Sequence, residues 1–234
     1  MTHFIRAGGS FTSPVSNNQR RQLALPVYVG SNGHIQNAGF VQQPITALEK
    51  GELAGPHAIV PHRTVSTTAA GTLRSFQRGI GTHFLVAKDG TTYQTASLAQ
   101  RTWHVGPIRS RCYQESTCQP DETHQIAALE RSESYMAIHR MEKRKEYPAR
   151  YPTNEDSVGI EVVAMWTPQR GWDPTTPEQR NSIARLVEVL QSLYSLTDAD
   201  VHEHDIISRK TSGEGHDLYD GDDGLPASLP PPFF

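Results

Sequence analysis

Only two cysteines, Cys112 and Cys118, stand among the 234 residues, too few for a disulfide-stapled scaffold or a cysteine-built metal framework. Long apolar runs are missing as well. No stretch approaches the roughly 18 to 20 apolar residues that cross a bilayer. Residues 1–18 lack the cationic start, apolar middle and small-residue cleavage site of an ordinary secretory signal, so none is read. A basic surplus is also absent: 22 Lys and Arg stand against 25 Asp and Glu, a formal net charge of -3. A nucleic-acid partner, which would leave a basic stripe, is therefore not expected. What the chain holds is 36% hydrophobic residues with 18 Gly and 16 Pro. That breaker load excludes coiled coils and helical repeats and points to a loop-rich globular chain long enough to bury a core. Several of the 11 histidines sit in or beside short strand-like runs, which directs attention to metal chemistry.

Residues 1–20 are polar without helical or strand period and read as an extension. Residues 25–29, followed by Ser31-Asn32-Gly33, read as a short strand ending in a turn. Ala58-Ile59-Val60 predicts a buried strand that delivers His62 at its end, beyond Pro61. Leu73 and Phe76, three apart, predict a helix over 72–78 stopped by Gly79. The runs 84–86 and 92–94 flank Lys88-Asp89-Gly90, a hairpin signal because Gly tolerates the positive φ of a tight turn. Trp103-His104 follows on a loop.

Between 107 and 156 the composition shifts to charge, which predicts a helical insertion over about 121–145 with Ile126, Leu129, Met136 and Met141 along one side. Residues 158–163 return to strand, apolar except for Glu161. Thr176-Pro177-Glu178 opens the clearest helix, with a capping hydroxyl, a proline suited to the first turn and a carboxylate for the positive end. Its apolar positions 183, 186, 187, 190 and 193 recur at helical spacing. Val201-His202-Glu203-His204 reads as a strand, followed by a Gly-rich charged loop to 223. The expected division is an extension (1–55) packed on a domain (56–224, with the insertion at about 107–156) and a docked Pro-rich tail (225–234).

A catalytic zinc site needs three His, Asp, Glu or Cys ligands from separate segments and one open position. His62 and the His202/His204 pair fit that plan, and a His-x-His pair puts both rings on one face of a strand. Taken singly, each histidine also fits a hydrogen-bonded structural role. Glu161 lies inside an apolar strand, where an unpaired carboxylate is costly and its pKa is expected to rise, as a general base requires. Pairing with Arg or Lys at the sheet edge is the other reading. Cys112 and Cys118, six apart, can close a small loop or remain two reduced thiols.

Five segments taken together, residues 59–64, 82–91, 101–106, 158–161 and 204–211, resemble the zinc N-acetylmuramoyl-L-alanine amidases in order and spacing. That superfamily also includes phage amidase-lysozymes and peptidoglycan recognition proteins. The resemblance spans residues 56–218. It implies an α/β fold, a central mixed β-sheet flanked by helices, with a Zn2+ ion in a groove that accepts the stem peptide. His62 matches the first zinc ligand. The six-residue step from His204 to Lys210 matches the phage and recognition-protein spacing for the second, with His202 as the alternative. The family usually places Cys or Asp two residues past the lysine, where this chain has Ser212, a poor zinc ligand. Glu214 is the expected third ligand because flanking glycines let the loop bend inward, and His216 or Asp217 are the alternatives.

Glu161 matches the catalytic Glu of the muropeptide amidases, and the Tyr that other members place ahead of the hairpin strand is here Thr82. Lys210 corresponds to the family lysine that donates to the oxyanion. Trp103 and His104 are expected to line the substrate groove. The function so implied is hydrolysis of the amide between N-acetylmuramic acid and L-alanine of peptidoglycan. The other readings are a zinc-free peptidoglycan-binding module and a different zinc hydrolase on the same fold. The extension, insertion and tail exceed a minimal recycling enzyme. That favours a delivered antibacterial effector or lysin acting on the cell wall, with a possible immunity protein as partner, over cytoplasmic muropeptide recycling.

Overall fold

Pro61 lies within a β-strand, a position open to proline only where the strand is a sheet edge and its missing N–H faces no partner. The computed structural model, which describes residues 26–221, bears this out. In chain order the strands are β1 (Tyr28–Val29), β2 (Ile35–Gln36), β3 (Val41–Gln42) and β4 (Ala58–Arg63), then helix α1 (Ala69–Phe76). The hairpin β5 (Phe84–Val86) and β6 (Thr92–Gln94) leads to α2 (Arg111–Gln114), α3 (Pro120–Arg131) and α4 (Tyr135–Glu142). Then come β7 (Ser157–Val162), β8 (Trp166–Thr167), β9 (Gly171–Trp172), α5 (Pro177–Tyr194) and α6 (His204–Ile207). The central five-stranded sheet has the order β3-β6-β5-β7-β4, so β4 is an edge. Only the β5–β6 pairing is antiparallel; β3–β6, β5–β7 and β7–β4 are parallel. This is the expected mixed sheet flanked by helices.

Strand periodicity divides the sheet into two faces. Ile59, Phe84, Val86, Val158, Ile160 and Val162 point to α5, whose Ile183, Leu186, Val187 and Leu190 are fully buried against them. That helix begins as its sequence requires. The Thr176 hydroxyl accepts the Gln179 N–H at 3.1 Å and the Gln179 side chain closes the reciprocal bond, a full capping box. On the opposite face Leu85 packs against Phe76 of α1, and Val60 against Val105, Ile108 and Ile207. Partners in the β4–β7 register include His62 with Glu161, which sets both side chains on this second face.

Several expectations are revised in detail. Residues 201–204 are not a strand: Val201 makes a single bridge to Ile59, and from His204 the chain turns into α6. The strand predicted over 58–60 runs on through Pro61 to Arg63, with His62 next to last. In the insertion, Ile138 is fully buried beside Ile126, whereas Met136 is exposed, so α4 presents a different side than the sequence pattern indicated. Cys112 and Cys118 are joined in a disulfide. Of the expected extension, residues 26–55 contribute β3 to the central sheet; residues 1–20 and the tail 225–234 lie outside the described residues.

Candidate metal centre

Three segments far apart in the chain bring His62, His204 and Glu214 together. His62 comes from edge strand β4, His204 from the first position of α6, and Glu214 from the loop that follows. Nδ1 of His62 lies 2.6 Å from Nδ1 of His204, Nδ1 of His204 is 2.8 Å from Oε1 of Glu214, and the third side of the triangle is 3.8 Å. One donor atom from each residue thus falls within 4.8 Å of the others.

The chemistry of this donor set calls for a cation. Nε2 of His204 lies 2.9 Å from the Val105 carbonyl and donates to it, so Nδ1 is the ring nitrogen that faces His62 and Glu214. A carboxylate oxygen 2.8 Å from that nitrogen needs a positive charge between them, a proton or a metal ion. His62 is 2% exposed, and burial, reinforced by His204 and Lys210, holds its imidazole well below the usual range and therefore neutral. Two imidazoles and a carboxylate, partly open to a cleft, are donor types that could hold a metal ion and leave a position for water. Among the described residues, the other group with ligand spacing contains Cys112 and Cys118, whose sulfurs are already bonded to each other.

Above the triangle opens a cleft of about 350 Å³ whose lining includes Glu161 and Lys210. Its rim carries Val65, Ile80 and Trp103, which are 71%, 65% and 52% exposed, an apolar border unusual around a charged floor. Glu161 stands beside His62 in register on the sheet. Its Oε2 is buried without a hydrogen-bond partner. Burial, with Glu214 adding to it and Lys210 opposing, pushes its carboxyl up to about 8.

The remaining candidates fall elsewhere or take other positions. His202 points away from the triangle, with Nε2 3.2 Å from the Tyr147 hydroxyl. His216 is partly exposed and pairs with Glu203 and Asp217. Ser212 is exposed, and its carbonyl accepts the Trp172 indole N–H at 3.0 Å. The Thr82 hydroxyl donates to the Phe84 carbonyl at 2.7 Å. Trp103 is on the cleft rim, while His104 reaches the cleft from beneath, 8% exposed. Arg63, Asp205 and Gly159, which the sequence reading passed over, each support one of the residues above. Arg63 carried a usable signal, being a charge directly after His62 at the end of a mostly apolar strand.

Residues 52–215 match the family model described as N-acetylmuramoyl-L-alanine amidase. No curated protein gives a significant match. Solved structures similar to this chain include a selenomethionine derivative of AmpD, at 15% identity over 81% of this chain and 93% of that one, with a TM-score of 0.49. The catalytic domain of XlyA is 19% identical over 73% and 87% of the two chains, with a TM-score of 0.46. N-acetylmuramoyl-L-alanine amidase LysC from Clostridium intestinale is 17% identical over 72% and 85%, with a TM-score of 0.38.

Proposed function

The chain belongs to the N-acetylmuramoyl-L-alanine amidase family, and on that premise we propose that it is a zinc hydrolase of peptidoglycan. His62, His204 and Glu214 hold the metal, and Glu161 and Lys210 act on the amide between N-acetylmuramic acid and L-alanine. The observation that carries this reading is the convergence of three ligand atoms from β4, α6 and the following loop. When bound, zinc supplies Lewis-acid polarisation of the scissile carbonyl and acidifies a water molecule. Glu161 moves the proton: its buried, unpartnered Oε2 accepts it from the attacking water and returns it to the leaving amine of L-alanine. The Lys210 ammonium, at the cleft, donates to the oxygen on which negative charge develops. Trp103 offers an exposed ring on which a sugar face or peptide can rest, and His104 contacts the substrate side from beneath.

The Cys112–Cys118 disulfide supports action in an oxidising compartment rather than in a reducing cytoplasm. We place that action on the cell wall after delivery, as an antibacterial effector or lysin. An effector of this kind also needs a neutralising immunity protein in the producing cell. A zinc-free peptidoglycan-binding module would be favoured by the poor ligand Ser212, but Glu214 occupies the third corner in its place.

The test is to purify the protein, measure bound zinc, and count new L-alanine amino termini after incubation with purified peptidoglycan. Stoichiometric zinc with release that a chelator abolishes is expected. Peptidoglycan binding with neither zinc nor release would leave the binding module as the correct reading.

A further inference from the structure

A carboxylate on a loop serves as a ligand only if the backbone on either side of it is held, because first-ligand geometry tolerates errors of about half an ångström. Around Glu214 that holding is done by two charged side chains from two other segments. Nη1 of Arg63 donates to the Gly213 carbonyl at 2.6 Å and to the His216 carbonyl, while Nη2 donates to the Thr175 hydroxyl at 3.2 Å. From the other side, Asp205 accepts the Gly213 N–H through Oδ2 at 2.7 Å and the Gly215 N–H through Oδ1 at 2.8 Å. Every segment of backbone flanking Glu214 is engaged. The loop also lies directly on α6: a Cβ at Gly215 would stand 2.4 Å from the His204 nitrogen, so only glycine permits the approach.

The placement of the two gripping residues is specific. Arg63 is the residue after His62, and Asp205 is the residue after His204. The two segments that present the imidazoles therefore also fix the loop that presents the carboxylate. Neither Arg63 nor Asp205 lines the cleft, so neither is placed to touch substrate. Arg63 is 8% exposed, and its buried charge is offset by Asp217, Asp205 and Glu203, as a buried cation requires. Four hydrogen bonds to a loop without regular structure are more than surface packing needs.

We propose that Arg63 and Asp205 are positioning residues for the metal site, gripping residues 213–216 so that Glu214, four residues beyond Lys210, serves as the third ligand. This rests on the metal-centre reading above. It explains how a chain with Ser212 at the usual ligand position retains a complete ligand set.

The experiment is a double-mutant cycle on metal affinity in the full chain. Metal-free wild type, Arg63→Gln, Asp205→Asn, Glu214→Ala and the two doubles with Glu214→Ala are titrated with Co2+ against a chromophoric chelator, and the visible spectrum of each Co2+ complex is recorded. Arg63→Gln and Asp205→Asn are each expected to weaken binding about 10- to 100-fold and to alter the Co2+ spectrum. On the Glu214→Ala background neither should cost more than about a further twofold, because the grip acts through Glu214. If Arg63→Gln does not fold, Asp205→Asn carries the test, since it keeps shape and one acceptor oxygen. Wild type that fails to bind Co2+ overturns the metal centre itself. Wild type that binds, with single variants equal to it or with losses undiminished on the Glu214→Ala background, overturns the grip alone.

Discussion

Nε2 of His62 lies 3.1 Å from Nδ1 of His104, and this contact fixes which nitrogen of His62 faces the cleft with a free lone pair. The order runs from the far end of a chain. Ser157 donates to the Thr153 carbonyl at 2.6 Å, so its oxygen is free to accept from Nε2 of His104 at 3.3 Å. Nδ1 of His104 is then an acceptor, Nε2–H of His62 is the donor, and Nδ1 of His62 is left bare toward His204 and Glu214. Such a partner behind a metal-binding imidazole raises its basicity and fixes its orientation. His104→Ala is therefore expected to weaken zinc binding about 10- to 100-fold. His104→Asn, which can return an oxygen to the place of Nδ1, should recover most of that loss. Competition titration with a chelating dye reads both, and equal affinity in His104→Ala and wild type would remove His104 from the metal's support.

Gly159 makes that contact possible. A Cβ there would stand 2.7 Å from Nδ1 of His104 and 2.7 Å from Cγ2 of Thr82, inside any normal contact distance, in a strand whose neighbours are fully buried. Gly159→Ala should destabilise the fold by about 1 to 3 kcal/mol through overpacking, and should lower metal affinity as His104 is displaced. Urea unfolding with and without zinc separates the two effects. A variant as stable as wild type with the same zinc stabilisation would contradict the packing argument.

The disulfide acts on a different part of the molecule. Cys112 and Cys118 are six residues apart at the start of the insertion, and neither lines the cleft. Closing so short a loop is worth about 2 kcal/mol in the chain-entropy treatment. Replacing both cysteines by serine should lower the unfolding free energy by about that amount and leave zinc affinity and turnover unchanged. A parallel loss of metal binding would mean that the insertion communicates with the site.

The residues that could be read from the sequence are those whose local pattern already contains the anomaly. Glu161 is visible as one carboxylate among five apolar residues over 158–163, and the hairpin is visible in Asp89-Gly90, where Gly90 adopts φ +82. The sequence Val201-His202-Glu203-His204 alternates like a strand, yet among the described residues its strand-like tie is the single bridge to Ile59, with the His202 N–H donating to the Ile59 carbonyl at 2.9 Å. His204 is then turned inward by the Val105 carbonyl 99 residues away, a constraint no local window contains. The same holds for Gly159, whose need for a missing side chain is set by His104, and for Asp205, whose partners are backbone amides. Third-ligand identity was legible only as a choice among residues of one glycine-rich loop, because what selects Glu214 is a grip supplied by Arg63 and Asp205 from outside that loop.

Glu161 makes the metal-free protein pH-sensitive in a direction that can be worked out. Its folded carboxyl titrates at about 8, against an ordinary value of 4.5. Between those values the folded chain keeps the proton and the unfolded chain has lost it, so the stability this group contributes is complete below 4.5 and is lost as pH rises to about 8. The histidines whose imidazoles are held down, His83 and His202 to about 4 and His62, His104 and His139 also lowered, give the opposite slope up to and through about 6.5, since there the unfolded chain binds the extra protons. They are common to wild type and Glu161→Gln, so the difference between the two isolates the carboxyl. Between about pH 6.5 and 8 the metal-free wild type should lose about 2 kcal/mol more unfolding free energy than Glu161→Gln, which keeps the shape and cannot ionise. The same variant should bind zinc yet hydrolyse peptidoglycan about 100- to 10,000-fold more slowly, the usual cost of removing a proton-transfer group. Denaturation midpoints at several pH values in the presence of a chelator provide the first measurement and single-turnover release of L-alanine termini the second. Parallel pH slopes for wild type and variant would show that Glu161 is ionised in the metal-free fold, and unchanged turnover would move the proton-transfer role to another group.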